Sequence, residues 1–139
     1  MRAYSQSKIA LGLFGLELDR RSEAAGWGIT SNLAHPGVAP TSLLAARPEV
    51  GRAEDTVGVR LIRALSARGI LVGTVRTAQL PALYAATSLG AVGGGFYGPD
   101  WPGHMGGPPA EQKLYGRLRG TQEARRVWEV SEELVGVRF

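Results

Sequence analysis

The chain has 139 residues, 44% hydrophobic and 20% charged, with a formal net charge of +4. This is ordinary globular composition for one domain or part of one, enough for a modest core, and the arginines are too dispersed to suggest a nucleic-acid surface. The absence of cysteine excludes disulfides, thiolate metal sites and a cysteine nucleophile, and the two histidines, His35 and His104, stand too far apart in sequence to suggest zinc.

The chain opens on Tyr4-Ser5-Gln6-Ser7-Lys8. In a helix, residues four apart share a face, so the phenol and the ammonium can share a site. A lysine charge about 4 Å from a phenol favours the phenolate by roughly 4 kcal/mol at an effective dielectric of about 20, before the lysine's desolvation is subtracted. That suits proton transfer at a carbonyl or alcohol. The spacing by itself is weak, since it occurs by chance in many helices.

The run 9–16 that follows is apolar or glycine on every side, then charged from Glu17 through Arg21. It predicts a helix over 4–25, buried on more than one side against a sheet and another subunit, with Gly26 as its end. The apolar run is too short to span a bilayer and lacks the small-residue cleavage pattern of a signal peptide, which points to a cytoplasmic protein. Residues 28–34 read as a strand leading into His35-Pro36-Gly37-Val38-Ala39-Pro40-Thr41.

With those residues in hand, the chain resembles the short-chain dehydrogenase/reductase family, most nearly a retinol-dehydrogenase-like or light-dependent-reductase-like branch. The resemblance rests on Tyr4 through Lys8, the helix after them, and the strand ending in His35-Pro36-Gly37 with Thr41 beyond. It implies an oxidoreductase that interconverts carbonyls and alcohols with NAD or NADP. Tyr4 would be the proton donor and Lys8 would favour the phenolate and hold the nicotinamide ribose. Pro36, Gly37, Val38 and Thr41 would line the nicotinamide and diphosphate. The family carries its glycine-rich phosphate loop, an asparagine and a serine before its tyrosine, where this chain has three residues. The expectation is therefore an α/β chain forming the C-terminal part of a Rossmann-like three-layer, doubly wound fold, as a single partial domain over 1–139. A homodimer through the helix 4–25, or a complementing N-terminal half, would complete it. The alternative is a non-catalytic remnant or a dimerisation module without cofactor binding.

Further along, 42–46 reads as a short helix, 47–52 as a loop and 54–68 as an amphipathic helix. Leu61, Ile62 and Leu65 form its apolar stripe, with Arg60, Arg63 and Arg68 in solvent. By resemblance, 38–70 is the substrate cap. A second helix is expected over 75–88, with Ala78, Leu80, Leu83 and Tyr84 inward and Pro81 marking a kink or the true first turn. Gly93-Gly94-Gly95-Phe96-Tyr97-Gly98 matches a dinucleotide-loop pattern by letter, yet it precedes prolines that cannot open a helix. Residues 95–97 read instead as a short last strand. The Gly/Pro-rich stretch 98–109, carrying Trp101, His104 and Met105, is either a loop shaping a substrate mouth or an irregular surface connection. If the former, it leans towards a small hydrophobic alcohol or carbonyl. The tail predicts a helix capped by Thr121, with Ala124, Val127, Trp128, Ser131 and Leu134 on one face and Trp128 docking it.

Overall fold

The computed structural model describes residues 2–40 and 56–138. The described residues form an α/β fold of four α-helices and a three-stranded mixed sheet. They fall into two compact units, one made of Met1–Leu33, Gly90–Phe96 and Gln112–Phe139, the other of Ala34–Leu89 and Tyr97–Glu111. The expected elements at 42–46 and 47–52, and Thr41, lie outside the described residues.

The first unit is built on α1 (Arg2–Ala25), long and free of proline. Gly26 ends it at φ 66°, and the Gly26 and Trp27 amides return to Glu23 O and Ser22 O at 3.4 and 3.0 Å. This doubled closure satisfies carbonyls that a helix end leaves open. α1 is not buried all round. Leu13, Glu17 and Ser22 are buried, while Leu11 is 63% exposed and the turns from Tyr4 to Lys8 lie in solvent. The buried side meets α4 (Thr121–Val135). Phe14 stacks on Trp128 with ring centroids 4.9 Å apart, and the Arg21 guanidinium covers the indole at 4.8 Å. Glu17 accepts from Arg20 Nε at 2.8 Å and Arg21 Nε at 2.9 Å, so the buried carboxylate is paired twice. The Arg20 hydrogen bond, opposed by burial and helped by Arg21, holds the Glu17 carboxyl below its ordinary value of 4.5.

The C-terminal helix is capped by Gly120 rather than by Thr121, so its cap residue offers no side chain to the first amides. Glu123 occupies the space that a side chain at position 120 would need. Ala124 and Trp128 are buried as the spacing predicts, but Leu134 is 81% exposed. The spacing finds the face; it does not say how far along the helix a neighbour covers it.

The strand expected over 28–34 shrinks to β1 (Leu33–Ala34). Side chains of α1 capture the amides before it: Ile29 N–H donates to Ser22 Oγ at 2.9 Å and Ser31 N–H to Asp19 Oδ1 at 2.8 Å. Those donors are spent on the helix and cannot enter a ladder. β1 runs parallel to β2 (Phe96–Pro99), Leu33 donating to Gly95 O and His35 to Tyr97 O. β2 is not the last strand. It pairs antiparallel with β3 (Pro109–Glu111), Gly98 opposite Ala110, so 98–109 is a hairpin connection whose ends are strand. No helix opens after the glycines at 93–95, in keeping with rejection of a phosphate loop there.

The second unit holds α2 (Val57–Ala67) and α3 (Leu80–Thr87). Thr56 caps α2 by accepting from Val59 N–H, and Val59 and Ser66 are its buried residues. Arg60, Arg63 and Arg68 are exposed as expected, but so is Leu61, leaving Ile62 and Leu65 half-buried. The helix expected over 75–88 is a 3-10 turn, Thr77–Gln79, followed by α3 with Pro81 in its first turn. Pro81 is fully buried and Leu83 is exposed, so the inward face includes the proline and excludes that leucine. Tyr84 meets Tyr97, which is almost wholly buried, at 5.5 Å between ring centroids.

Candidate functional site

Tyr4 and Lys8 come together within the first unit. Helical spacing brings the Lys8 ammonium over the Tyr4 ring, 5.5 Å from its centroid, a contact worth about 0.5–1 kcal/mol where exposed. Both side chains are in solvent, Tyr4 at 56% exposure. Ser7 donates to Tyr4 O at 2.8 Å, a bond within the helix that leaves the phenol itself untouched. The pair thus offers a hydroxyl and a cation on one accessible helical face.

The expected nicotinamide loop, Pro36 to Val38, belongs to the second unit and is fixed by its backbone. Gly37 has φ 71°, and a Cβ there would lie 2.6 Å from Pro99 Cγ and 2.7 Å from Met105 O. Only glycine satisfies both the left-handed backbone and that approach. Val38 N–H donates to Met105 O at 2.8 Å, and Gly73 N–H reaches Val38 O at 2.9 Å and Met105 O at 3.2 Å. Three chain segments, around Val38, Gly73 and Met105, are therefore tied at one point. Pro36 remains exposed beside this tie, and Ala39 after it is buried. Thr41, the last residue expected in this group, lies outside the described residues.

Sequence reasoning missed two features of this unit. His35 and His104, set aside as distant, face each other edge to face with ring centroids 6.3 Å apart. His35 Nδ1 accepts from Gly37 N–H at 3.3 Å, and His104 takes φ 54° with Nδ1 3.3 Å from Pro99 O. Among the described residues, no three histidine or acidic side chains gather as a metal site. The second feature is Gly106, whose Cβ would meet Gly73 N and Val72 C at 2.8 Å, so the glycine-rich hairpin packs backbone to backbone on the turn before α3. The glycine density of 98–109 was the available signal, but it does not name the partner.

No family model matches the chain. Retinol dehydrogenase 13 of Homo sapiens is 33% identical over 139 residues, which cover 97% of this chain and 37% of that protein. Polyprenol dehydrogenase of Mus musculus is 56% identical over 41 residues, 30% of this chain and 12% of that protein. Over most of its length the chain is homologous to these members of the short-chain dehydrogenase/reductase family. A crystal structure of an uncharacterized protein from Mycobacterium paratuberculosis superposes with a TM-score of 0.66 at 28% identity, covering 99% of this chain and 40% of that one. This likeness supports a Rossmann-like fold. The chain spans well under half the length of each of these proteins. Among the described residues, no helix is long and apolar enough to cross a membrane.

Proposed function

We propose that the chain carries the proton-transfer pair and nicotinamide-lining loop of an NAD- or NADP-dependent oxidoreductase that interconverts an apolar alcohol and its carbonyl. The observation that carries the reading is Lys8 held over Tyr4 on an accessible helical face. The two relatives named above are a retinol and a polyprenol dehydrogenase, which supports a long apolar alcohol as the substrate class.

The donor set fits a nicotinamide nucleotide and its substrate. Lys8 offers three N–H donors to ribose hydroxyls, and Tyr4 one hydroxyl to a substrate oxygen. When bound, the nucleotide supplies or accepts the hydride. In the reductive direction Tyr4 Oη gives its proton to the carbonyl oxygen, with the Lys8 ammonium beside it on the same helical face, 5.5 Å from the ring centroid. In the oxidative direction the phenolate takes the alcohol proton by the same contact. Pro36, Gly37, Val38 and Thr41 line the nicotinamide and diphosphate in this reading. Gly37 serves by keeping its loop backbone in a shape that no other residue adopts easily.

Turnover of retinol with NAD and with NADP, followed by nicotinamide absorbance, tests the reading. Tyr4→Phe keeps the ring beneath Lys8 and removes only the proton. It should lower kcat by about 10²–10⁴-fold, as loss of a general acid does. Unchanged turnover in Tyr4→Phe would sink the proposal.

A further inference from the structure

Leu71 breaks two rules at once. It has φ 61°, and Val72 N–H donates to Ile70 O at 2.7 Å, which makes Leu71 the centre of a classic γ-turn, the strained and rare form. A bulky residue enters this left-handed region only at a cost, and glycine or asparagine would fit more easily. The residue nevertheless stays 44% exposed, with Ile70 beside it at 48%. The turn does have a structural purpose. It follows the end of α2, where Ile70 N–H returns to Leu65 O at 3.0 Å, and it lets Val72 enter the core at 4% exposure. That purpose requires the backbone shape but does not require leucine.

The position of the turn supplies a reason for the side chain. Two residues on, Gly73 is bonded to Val38 O and Met105 O, and its own carbonyl accepts from the buried Ser66 Oγ at 2.8 Å. A Cβ on Gly106 would lie 3.1 Å from Leu71 O, so the glycine-rich hairpin braces the γ-turn directly. On that hairpin the 37%-exposed Trp101 packs its ring where a Cβ on Gly107 would stand, and its backbone N–H donates to Gly106 O at 2.9 Å. Exposed apolar side chains thus stand on two hydrogen-bonded loops, both tied to the Val38 backbone of the proposed nicotinamide loop.

We propose that Leu71, with Ile70 and Trp101, receives the hydrocarbon part of the substrate, making Leu71 a specificity-determining residue. The assignment rests on the oxidoreductase reading above and deepens it to a binding surface for an apolar chain. The occupant is an isoprenoid-like alcohol, because the side chains are apolar, their loops are hydrogen-bonded to the loop expected to hold the nicotinamide, and the two relatives are a retinol and a polyprenol dehydrogenase.

The test is retinol binding by the 139-residue chain, followed by retinol fluorescence, in wild type, Leu71→Asn and Leu71→Gly. Both replacements accept φ 61°, so both should melt at or above the wild-type temperature while removing the apolar side chain. Retinol binding should weaken about tenfold or more in each. Wild-type binding that both variants retain in full overturns the assignment and leaves the oxidoreductase reading standing. Failure of the wild-type chain to bind retinol overturns the assignment together with the substrate class on which it rests.

Discussion

The two ends of α1 share a helix and little else. Its first turns carry Tyr4 and Lys8 exposed, with the Lys8 ammonium over the Tyr4 ring. Its later turns carry Leu13, Glu17 and Ser22 in the interior, with Phe14 stacked on Trp128 and Glu17 paired to Arg20 and Arg21. The difference separates chemistry from anchorage. A proton-transfer group has to meet a ligand and so stays accessible, whereas a helix that presents it accurately has to be fixed somewhere else. Here the fixing lies two to four turns away, against α4.

The sharpest way to break this comparison is to remove the anchor. Trp128→Ala deletes a 3%-exposed indole together with its Phe14 and Arg21 contacts. It should cost about 3–5 kcal/mol in denaturant unfolding, the usual range for a large aromatic in a core. A loss below about 1 kcal/mol would mean that α4 does not anchor α1.

A smaller effect comes from acid. Glu17 has its carboxyl held below 4.5 by Arg20 and then Arg21, so its folded-state value lies under its unfolded one. The stability it contributes is fully present above the unfolded value and is lost as pH falls through the folded one. Unfolding free energy measured from pH 6 downward should therefore decline in wild type more steeply than in Glu17→Gln, whose side chain does not titrate. Parallel curves would show that this carboxylate is not a source of the acid sensitivity.

How much of this was legible in the sequence depended on how local each cause is. The Tyr4–Lys8 pair follows from an i, i+4 spacing, the end of α1 from one glycine, and the first turn of α3 from Pro81; each is decided within about one helical turn. The strand over 28–34 failed because its amides are taken by Ser22 and Asp19, side chains on the neighbouring helix that no periodicity of the strand itself records. β3 was missed because Pro109 opens it, and proline in a run argues against a strand unless it sits at an end. Leu61, Leu83 and Leu134 sit on faces that the spacing identifies but that no neighbour covers in full. The tie between Val38, Gly73 and Met105 is long-range throughout. Of that part of the candidate site only Pro36, Gly37 and Val38 could be named in advance, and Thr41 falls outside the described residues.

The smallest expected effect is also the most exacting test of the separation. Lys8→Ala removes an exposed contact worth about 0.5–1 kcal/mol but substitutes the best helix former, so the two changes offset. Tyr4→Phe keeps the ring and deletes a hydroxyl that stands in solvent. Both variants should therefore melt within about 0.5 kcal/mol of wild type, as surface substitutions generally do, while Tyr4→Phe loses turnover. For a chain of this size about 1 kcal/mol corresponds to a shift of roughly 2–4 °C. A melting shift larger than that in either variant would place the first turns of α1 within the packed structure. Lost activity in Tyr4→Phe would then report damage to the fold rather than loss of a proton, and the division between an anchored half and a working half of α1 would have to be abandoned.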